Sequence, residues 1–349
     1  MVKFMTIIYD KKPYFYCQNG KVYKLKLCIR SMSYLEIKTI KEKKYIYFVK
    51  KVSFMKQLLT IKKHIGLGSP TISKEKYMLD HIEELSTEEL KFRRGFLDKI
   101  KDSLSHNPSL AEDIEFKAIK INNYVEGKRC EKPLNNEFAT EFIFNSNNIE
   151  GSKIPPEKVR EIIETGNAQY KDKNEVKEVQ NSIMAYEYLK KKFKFNIPSI
   201  KKLYYVLTED LQMEKNRLYP KGFKTISNVV GNSSTTPPEK VEEELRNLLQ
   251  WYDEQKRRLH PLTLAFEFHR RYEFIHPFLD GNGRTGRLIM NKILISNRYP
   301  PIIVYKDNKL SYFNSIEKSK EGKLKSYYQF MLEQTNKTYD FMLEVIGRY

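Results

Sequence analysis

Ile275–Leu288 reads IHPFLDGNGRTGRL, fourteen residues that bring together a histidine, an acid, three glycines, an asparagine and two arginines. His276 precedes Pro277, and a residue before proline is pushed out of the right-handed helical region, so the helical pattern running from Pro261 should stop there. In the loop that follows, Asp280, Gly281, Asn282 and Gly283 tolerate positive φ and let successive backbone N–H groups converge into an anion nest. A new helical run begins at once, and its first N–H groups have no intrahelical partner and favour negative charge. Arg284 and Arg287, three apart on that first turn, add phosphate-binding forks. The combination describes a di- or triphosphate cradle. An acid beside such a cradle reads as a Mg²⁺ ligand, which assigns Asp280, and the histidine reads as a base. The chemistry implied is transfer of a phosphoryl or nucleotidyl group to a hydroxyl. A glycine turn between two helices also occurs without any ligand, so the reading rests on the co-occurrence. His260, His269 and His276 form no HExxH or i, i+4 pair, so zinc is not suggested, and His269 reads as a buried packing residue.

The whole chain is consistent with an intracellular protein that carries more than one unit. Its 349 residues suggest two domains, or one domain with an extension. The formal charge of +19 is concentrated at the start: residues 1–68 hold 16 Lys plus Arg against Asp10, Glu36 and Glu42. Such a segment is a candidate for nucleic-acid contact, although Lys, Asn, Ile and Tyr are abundant throughout. Cys17, Cys28 and Cys130 are odd in number and far apart, which suggests neither a disulfide framework nor a thiolate zinc site. No apolar run approaches the ~20 residues of a membrane span, and a soluble, cytoplasmic protein is expected.

Periodicity divides the chain near residue 70. From Val22 to about Ile65 apolar residues alternate or cluster in short β-rich runs such as KYIYFVKKVSF (Lys44–Phe54), giving a small basic antiparallel module over 1–68. After the turn-rich GLGSPTIS (Gly66–Ser73), helical spacing predominates. Helices are predicted at Lys74–Leu85, Thr87–Leu104, Ala111–Glu126, Glu137–Ser146, Pro156–Thr165 and Glu175–Phe193. Further ones are predicted at Ser199–Met213, Pro238–Arg257, Pro261–Phe274, Gly283–Asn297 and Lys309–Leu343. The stretch GFKTISNVVGNSSTTPP (Gly222–Pro238) mixes β-branched residues with Gly, Asn and Ser and reads as a short hairpin or flap. The expected class is mainly α, a helical bundle with a β-hairpin flap behind a basic β-rich module, with residues 69–131 as a helical extension.

HPFLDGNGRTGR (His276–Arg287) resembles the HPFx[D/E]GN[G/K]RxxR signature of the Fic, or Fido, domain at every specified position. The likeness covers roughly residues 132–335 and places the domain at 132–349. Members of that family move AMP from ATP to a Ser, Thr or Tyr hydroxyl of a protein. The resemblance implies that His276 deprotonates the acceptor and that Asp280 holds Mg²⁺ (or Mn²⁺). It implies that Gly281, Asn282, Gly283, Arg284, Thr285, Gly286 and Arg287 bind the nucleotide, with Phe278 anchoring the loop. The flap, which includes Gly222, Phe223 and Lys224, would clamp the acceptor and line the nucleotide site over Lys224–Gly231, with Val229, Val230 and Gly231 nearest the nucleotide and Tyr312 and Phe313 abutting the nucleoside. Two departures stand out: Lys224 replaces the usual Arg beside the flap aromatic, and Lys320 falls where an Asn often contacts adenine.

Upstream, Ser146-Asn-Asn-Ile-Glu150-Gly151 resembles the family's inhibitory [S/T]xxxE[G/N] helix, here on the N-terminal side of the catalytic loop. The resemblance implies that Glu150 pairs with Arg287, the arginine otherwise used by the γ-phosphate. In some relatives this glutamate supports removal of AMP, so deAMPylation stays open, as does transfer of another nucleotide such as UMP. A nucleic-acid-binding regulator with a Fic sensor domain is a further alternative. Expected partners are ATP and a protein target with an acceptor hydroxyl, the chain itself included. Homodimer formation is a further expectation, and a membrane is not.

Overall fold

The computed structural model describes residues 32–104, 107–213, 217–230 and 233–349. It opens with a three-stranded antiparallel meander, β1 (Met32–Ile40), β2 (Lys43–Phe54) and β3 (Gln57–Leu67). Its two-residue turns, Lys41–Glu42 and Met55–Lys56, have positive φ at both positions, the backbone twist that tight hairpins require. Ile46, Phe48, Lys50, Val52 and Phe54 of β2 all face inward, as period-two alternation dictates. The predicted β-rich module is present from Met32 onward. Val22–Ser31, Cys17 and Cys28 lie outside the described residues.

Twelve helices follow among the described residues: α1 (Lys74–Asp80), α2 (Ile82–Leu104), α3 (Pro108–Glu126), α4 (Glu131–Ile149), α5 (Pro156–Thr165) and α6 (Lys173–Lys191). The remainder are α7 (Ile197–Thr208), α8 (Val241–Gln255), α9 (Pro261–Ile275), α10 (Asn282–Ser296), α11 (Lys309–Lys320) and α12 (Leu324–Gly347). A short hairpin, β4 (Val229–Val230) and β5 (Ser233–Ser234), lies between α7 and α8. The predicted mainly α architecture with a hairpin flap is the architecture observed.

Several predicted boundaries are corrected. The first two helices divide at His81, which stacks on Tyr77 and caps α1, rather than at Ser86. Helix α4 starts at Glu131, six residues before the predicted Glu137, because Pro133 falls in the first turn, where its missing N–H costs nothing. Helix α7 ends at Thr208, not Met213, and Asp210 beyond it adopts φ 58°. The run predicted as one helix over Lys309–Leu343 is two helices, broken where Gly322 takes φ 82°.

One apolar core collects residues from every segment: Phe54 of the sheet, Phe96 and Ala111 of the extension, and α4 through α12. A buried polar network joins the same parts. Lys50 Nζ donates to Glu89 (2.6 Å) and Asn123 (2.5 Å), Arg93 pairs with Glu89 (2.5 Å) and Glu115 (3.2 Å), and Tyr299 donates to Glu115 (2.5 Å). Tyr299 also meets His260 (3.0 Å), whose other ring nitrogen accepts from Leu262 N and caps α9. Such desolvated charges hold only when mutually paired, so the sheet module is locked to the start of the helix that ends at the HPF motif. The module's positive charge is partly neutralised as well. Lys62 pairs with Glu36, and Lys63 pairs with Glu84 (2.8 Å) and Glu88 (2.7 Å). Among the described residues no helix is long and apolar enough to cross a membrane.

Candidate functional site

The site lies where α9 ends and α10 begins. His276 takes φ 48°, ψ 63° and donates its backbone N–H to Tyr272 O (2.9 Å), closing α9 with a left-handed cap ahead of Pro277. Phe278 is fully buried and stacks face to face on Tyr204 at 3.8 Å. The Asn282 side chain accepts from Phe278 N (2.8 Å) and donates to Phe278 O (2.8 Å), so it braces the loop. Gly281 has φ 77°, the left-handed value that made glycine the expected residue. Thr285 is fully buried and gives its hydroxyl to Gly281 O (2.8 Å). A Cβ on Gly286 would lie 2.5 Å from Glu273 Oε1, so this glycine serves the close packing of α10 on α9. The side chains of Asn282 and Thr285 therefore support the cradle from behind.

The charged groups of the motif are already partnered. Asp280 Oδ1 accepts from Gly281 N (2.5 Å) and Oδ2 from the Tyr219 hydroxyl (2.9 Å). Arg284 is buried, forms an ion pair with Glu178 of α6 and donates to the Tyr219 hydroxyl (3.2 Å). Burial pushes the Glu178 carboxyl up, against the opposing pull of Arg284, and pushes the Tyr219 phenol up to about 12.

Arg287, 1% exposed, reaches α4. Its Nε donates to Ser146 Oγ (3.0 Å), and its Nη2 donates to Ser146 O (2.8 Å) and to Glu150 Oε1 (2.7 Å). Glu150 is the C-terminal cap of α4, and Gly151 behind it has φ 116°. The Glu150 carboxyl lies directly over the first turn of α10: a Cβ on Gly283 would sit 2.2 Å from its Oε1. A carboxylate thus occupies the point at which the glycine turn, the helix N-terminus and Arg287 converge.

The flap is pinned to the loop. Gly222 has φ 103°, and Phe223 packs 5.7 Å from the Phe278 ring. Lys224 N donates to Pro277 O (2.9 Å), and Asn228 Nδ2 donates to Phe278 O (2.9 Å). Lys224 Nζ is buried among neutral acceptors, Asn228 Oδ1 (2.7 Å), Thr235 Oγ1 (2.6 Å) and Ile275 O (3.2 Å). That burial, with Lys320 nearby, lowers its ammonium to about 8. Over the Phe223 ring it is Lys201, at 4.1 Å, that supplies the cation. Val229 and Val230 form β4, and Gly231 lies outside the described residues. Tyr312 is buried and bonded through its hydroxyl to His269 Nε2 (2.6 Å), while the half-buried Phe313 packs 5.3 Å from it. Lys320 donates to Ser234 O (2.9 Å) on the flap.

Burial, and then the positive charge of Lys224, lower the His276 imidazole to about 4, so it is neutral near pH 7 and can accept a proton. His269, the predicted packing residue, is fully buried and lowered to about 3. Three participants were not anticipated: Glu178, Tyr219 and Glu273. Glu273 sits four residues after His269 and three before His276, a helical spacing that was readable. Glu178 and Tyr219 arrive from α6 and from the flap approach, and no local pattern marks them.

A helical bundle whose central pair ends in a left-handed histidine and restarts over a glycine turn has the mainly α fold of Fic-type proteins. Residues 170–294 match the model of the Fic/DOC family. It is 30% identical over 209 residues to the protein adenylyltransferase Fic of Drosophila mojavensis, covering 58% of this chain and 40% of that protein. The Drosophila grimshawi counterpart is 29% identical over the same length, 42% of it covered. The chain therefore spans about 40% of the length of these curated relatives. Its fold resembles that of a Fic family protein from Desulfovibrio desulfuricans (TM-score 0.58, 24% identity, 67% of this chain and 73% of that one). It also resembles a Fic domain containing signaling protein from Bacteroides thetaiotaomicron (TM-score 0.55, 21% identity, 62% and 89%).

Proposed function

We propose that the chain transfers AMP from ATP to a Ser, Thr or Tyr hydroxyl of a protein, itself included, and that Glu150 restrains the transfer. The transferase domain would run from residue 132, preceded by the extension over 69–131 and the basic module over 1–68. The observation that carries this reading is the Glu150 carboxylate over Gly283, bonded to Arg287 at 2.7 Å. An acidic side chain sits in a cradle built for a phosphate, beside a neutral, buried histidine.

In the proposed step His276 takes the proton of the acceptor hydroxyl, whose oxygen bonds to the α-phosphorus of ATP. The bond from that phosphorus to the β-phosphate oxygen breaks, and pyrophosphate leaves with the electron pair. The open N–H groups of the α10 turn, with Arg284 and Arg287, would hold the phosphates. In this reading the ion is held by one carboxylate, Asp280, together with substrate phosphates and water. Mg²⁺ or Mn²⁺ bound there would neutralise charge on the transferring group. The Tyr219 hydroxyl and Gly281 N orient the Asp280 carboxylate for that role.

The test is mass spectrometry of the Glu150→Gly chain after incubation with ATP and Mg²⁺. AMP on its own or a target's hydroxyls is expected, and it should vanish in the Glu150→Gly, His276→Ala double variant. Labelling that survives loss of His276 would refute the base assignment. Competition with UTP decides between AMP and UMP transfer, and release of AMP from a labelled target by the intact chain would favour the eraser reading. Deleting residues 1–68 and measuring salt-dependent nucleic-acid binding decides the regulator alternative.

A further inference from the structure

Helix α9 delivers two histidines to the site region, and between them it carries a carboxyl to which the mechanism above gives no task. Glu273 is 3% exposed. Its Oε2 lies 3.8 Å from His276 Nδ1 and its Oε1 3.8 Å from His269 Nδ1. These spacings follow from i, i+3 and i, i+4 positions on one helix face. Among the described residues Glu273 Oε1, His276 Nδ1 and His269 Nδ1 are buried atoms without a hydrogen-bond partner. The main chain of Glu273 interacts with the His276 ring and that of Gly286 with the His269 ring, but buried polar side-chain atoms this close to a carboxyl are costly unless they also pair with it. Catalytic hydrogen bonds are often long in unliganded sites and tighten when substrate binds.

We propose that Glu273 is the positioning residue of His276: its Oε2 accepts from the imidazole Nδ1–H, fixing the tautomer that leaves the Nε2 lone pair free for the acceptor hydroxyl. This rests on the reading of His276 as the base. A neutral imidazole can carry its proton on either nitrogen, and the bond made by one decides the state of the other. Burial raises the Glu273 carboxyl to about 8, opposed by Arg287 and reinforced by Glu150. The neutral acid can still play this part, since Oε2 accepts while the Oε1 hydrogen is directed at His269 Nδ1. His269 Nε2 is meanwhile engaged by the Tyr312 hydroxyl. The charged groups acting on His276 are Lys224, Glu150 and Asp280, and the main chain of Glu273 also interacts with its ring. The close fit of Gly286 against Glu273 Oε1 holds the carboxyl in place from α10.

The experiment is long-range ¹H–¹⁵N correlation NMR of the full chain labelled with ¹⁵N-histidine at pH 7, the His276 signals assigned by loss in His276→Ala. The wild type should show His276 as the Nδ1–H tautomer. Glu273→Leu should shift it toward a mixture with at least half Nε2–H, and Glu273→Gln, whose amide oxygen accepts in the same place, should restore the wild-type state. An Nε2–H imidazole in the wild type overturns the proposal and needs no variant to fold. An unchanged tautomer in Glu273→Leu overturns it too, leaving the main chain of residue 273 as the sole anchor. In a Glu150→Gly background Glu273→Leu should lower kcat for AMP transfer about 10- to 100-fold with KM for ATP altered less than about threefold; the reverse pattern counts against positioning. If no AMP transfer is found at all, the tautomer measurement still decides the role of Glu273, so the two failures are distinguishable.

Discussion

Replacing Glu150 with glycine tests the balance between the acidic side chain and a nucleotide for Arg287. The pair joins a guanidinium that is 1% exposed to a carboxylate that is 22% exposed at 2.7 Å. A charge-assisted bond of this kind is worth about 1.5 to 3 kcal/mol. Arg287 keeps its Ser146 partners in the variant, so removing Glu150 frees the cradle without stranding the arginine. At 1.4 kcal/mol per factor of ten, productive ATP binding should tighten by roughly 10- to 150-fold. The assay is calorimetric titration of ATP with Mg²⁺ into both chains, paired with initial rates of AMP incorporation. The gain should disappear in an Arg287→Ala background, where Glu150 has nothing to withhold. An ATP affinity and rate within twofold of the intact chain, or a gain that persists without Arg287, would refute the reasoning.

Three further outcomes follow from the same geometry. Gly283→Ala places a Cβ 2.2 Å from Glu150 Oε1 and 2.9 Å from Arg287 Nη1; it should dislodge Glu150 and raise self-labelling above that of the intact chain, though below that of Glu150→Gly, measured as incorporated AMP per hour. Because His276 is lowered to about 4 partly by Lys224 and against the pull of Glu150, the acid limb of kcat/KM in the Glu150→Gly form should fall at or below about pH 4, and Lys224→Met should move it upward. The same depression, with His269 at about 3, means that at these two histidines the folded chain binds fewer protons than the unfolded chain, whereas at Glu273, raised to about 8, it binds more. The histidine contribution to stability should therefore be lost as the pH falls from about 6.5 through about 4, seen as a urea midpoint that falls more steeply over this window in Glu273→Gln than in the intact chain. Lys50→Met should cost about 3 kcal/mol in denaturant titrations, the lower end for a broken buried pair, because Glu89 retains Arg93.

The sequence was most legible where chemistry is encoded at short range. His276-Pro277 fixed the end of α9, the glycine turn fixed the start of α10, and the hairpin flap was readable from its β-branched and turn residues. Helix ends were less legible because they depend on neighbours. Pro133 sits inside the first turn of α4, ahead of the predicted start at Glu137, and a single helical period over Lys309–Leu343 concealed the turn at Gly322. In the site, residue types alone could not tell which members of GNGRTGR face a ligand. Asn282 and Thr285 are polar and adjacent to the cradle, but their hydrogen bonds go to Phe278 and Gly281.

The amino-acid order by itself determined the helix stop at His276, the glycine turn that restarts the chain as α10 and the presence of an acid beside it, because these depend on backbone preferences within a few residues. Tertiary structure alone decided what each charge does. Arg284 meets Glu178 across 106 positions and Arg287 meets Glu150 across 137, separations at which no sequence period operates and only the packing of α4, α6 and α10 sets the distance. The burial that keeps His276 neutral has the same origin, since desolvation is a property of the folded surroundings and not of the residue.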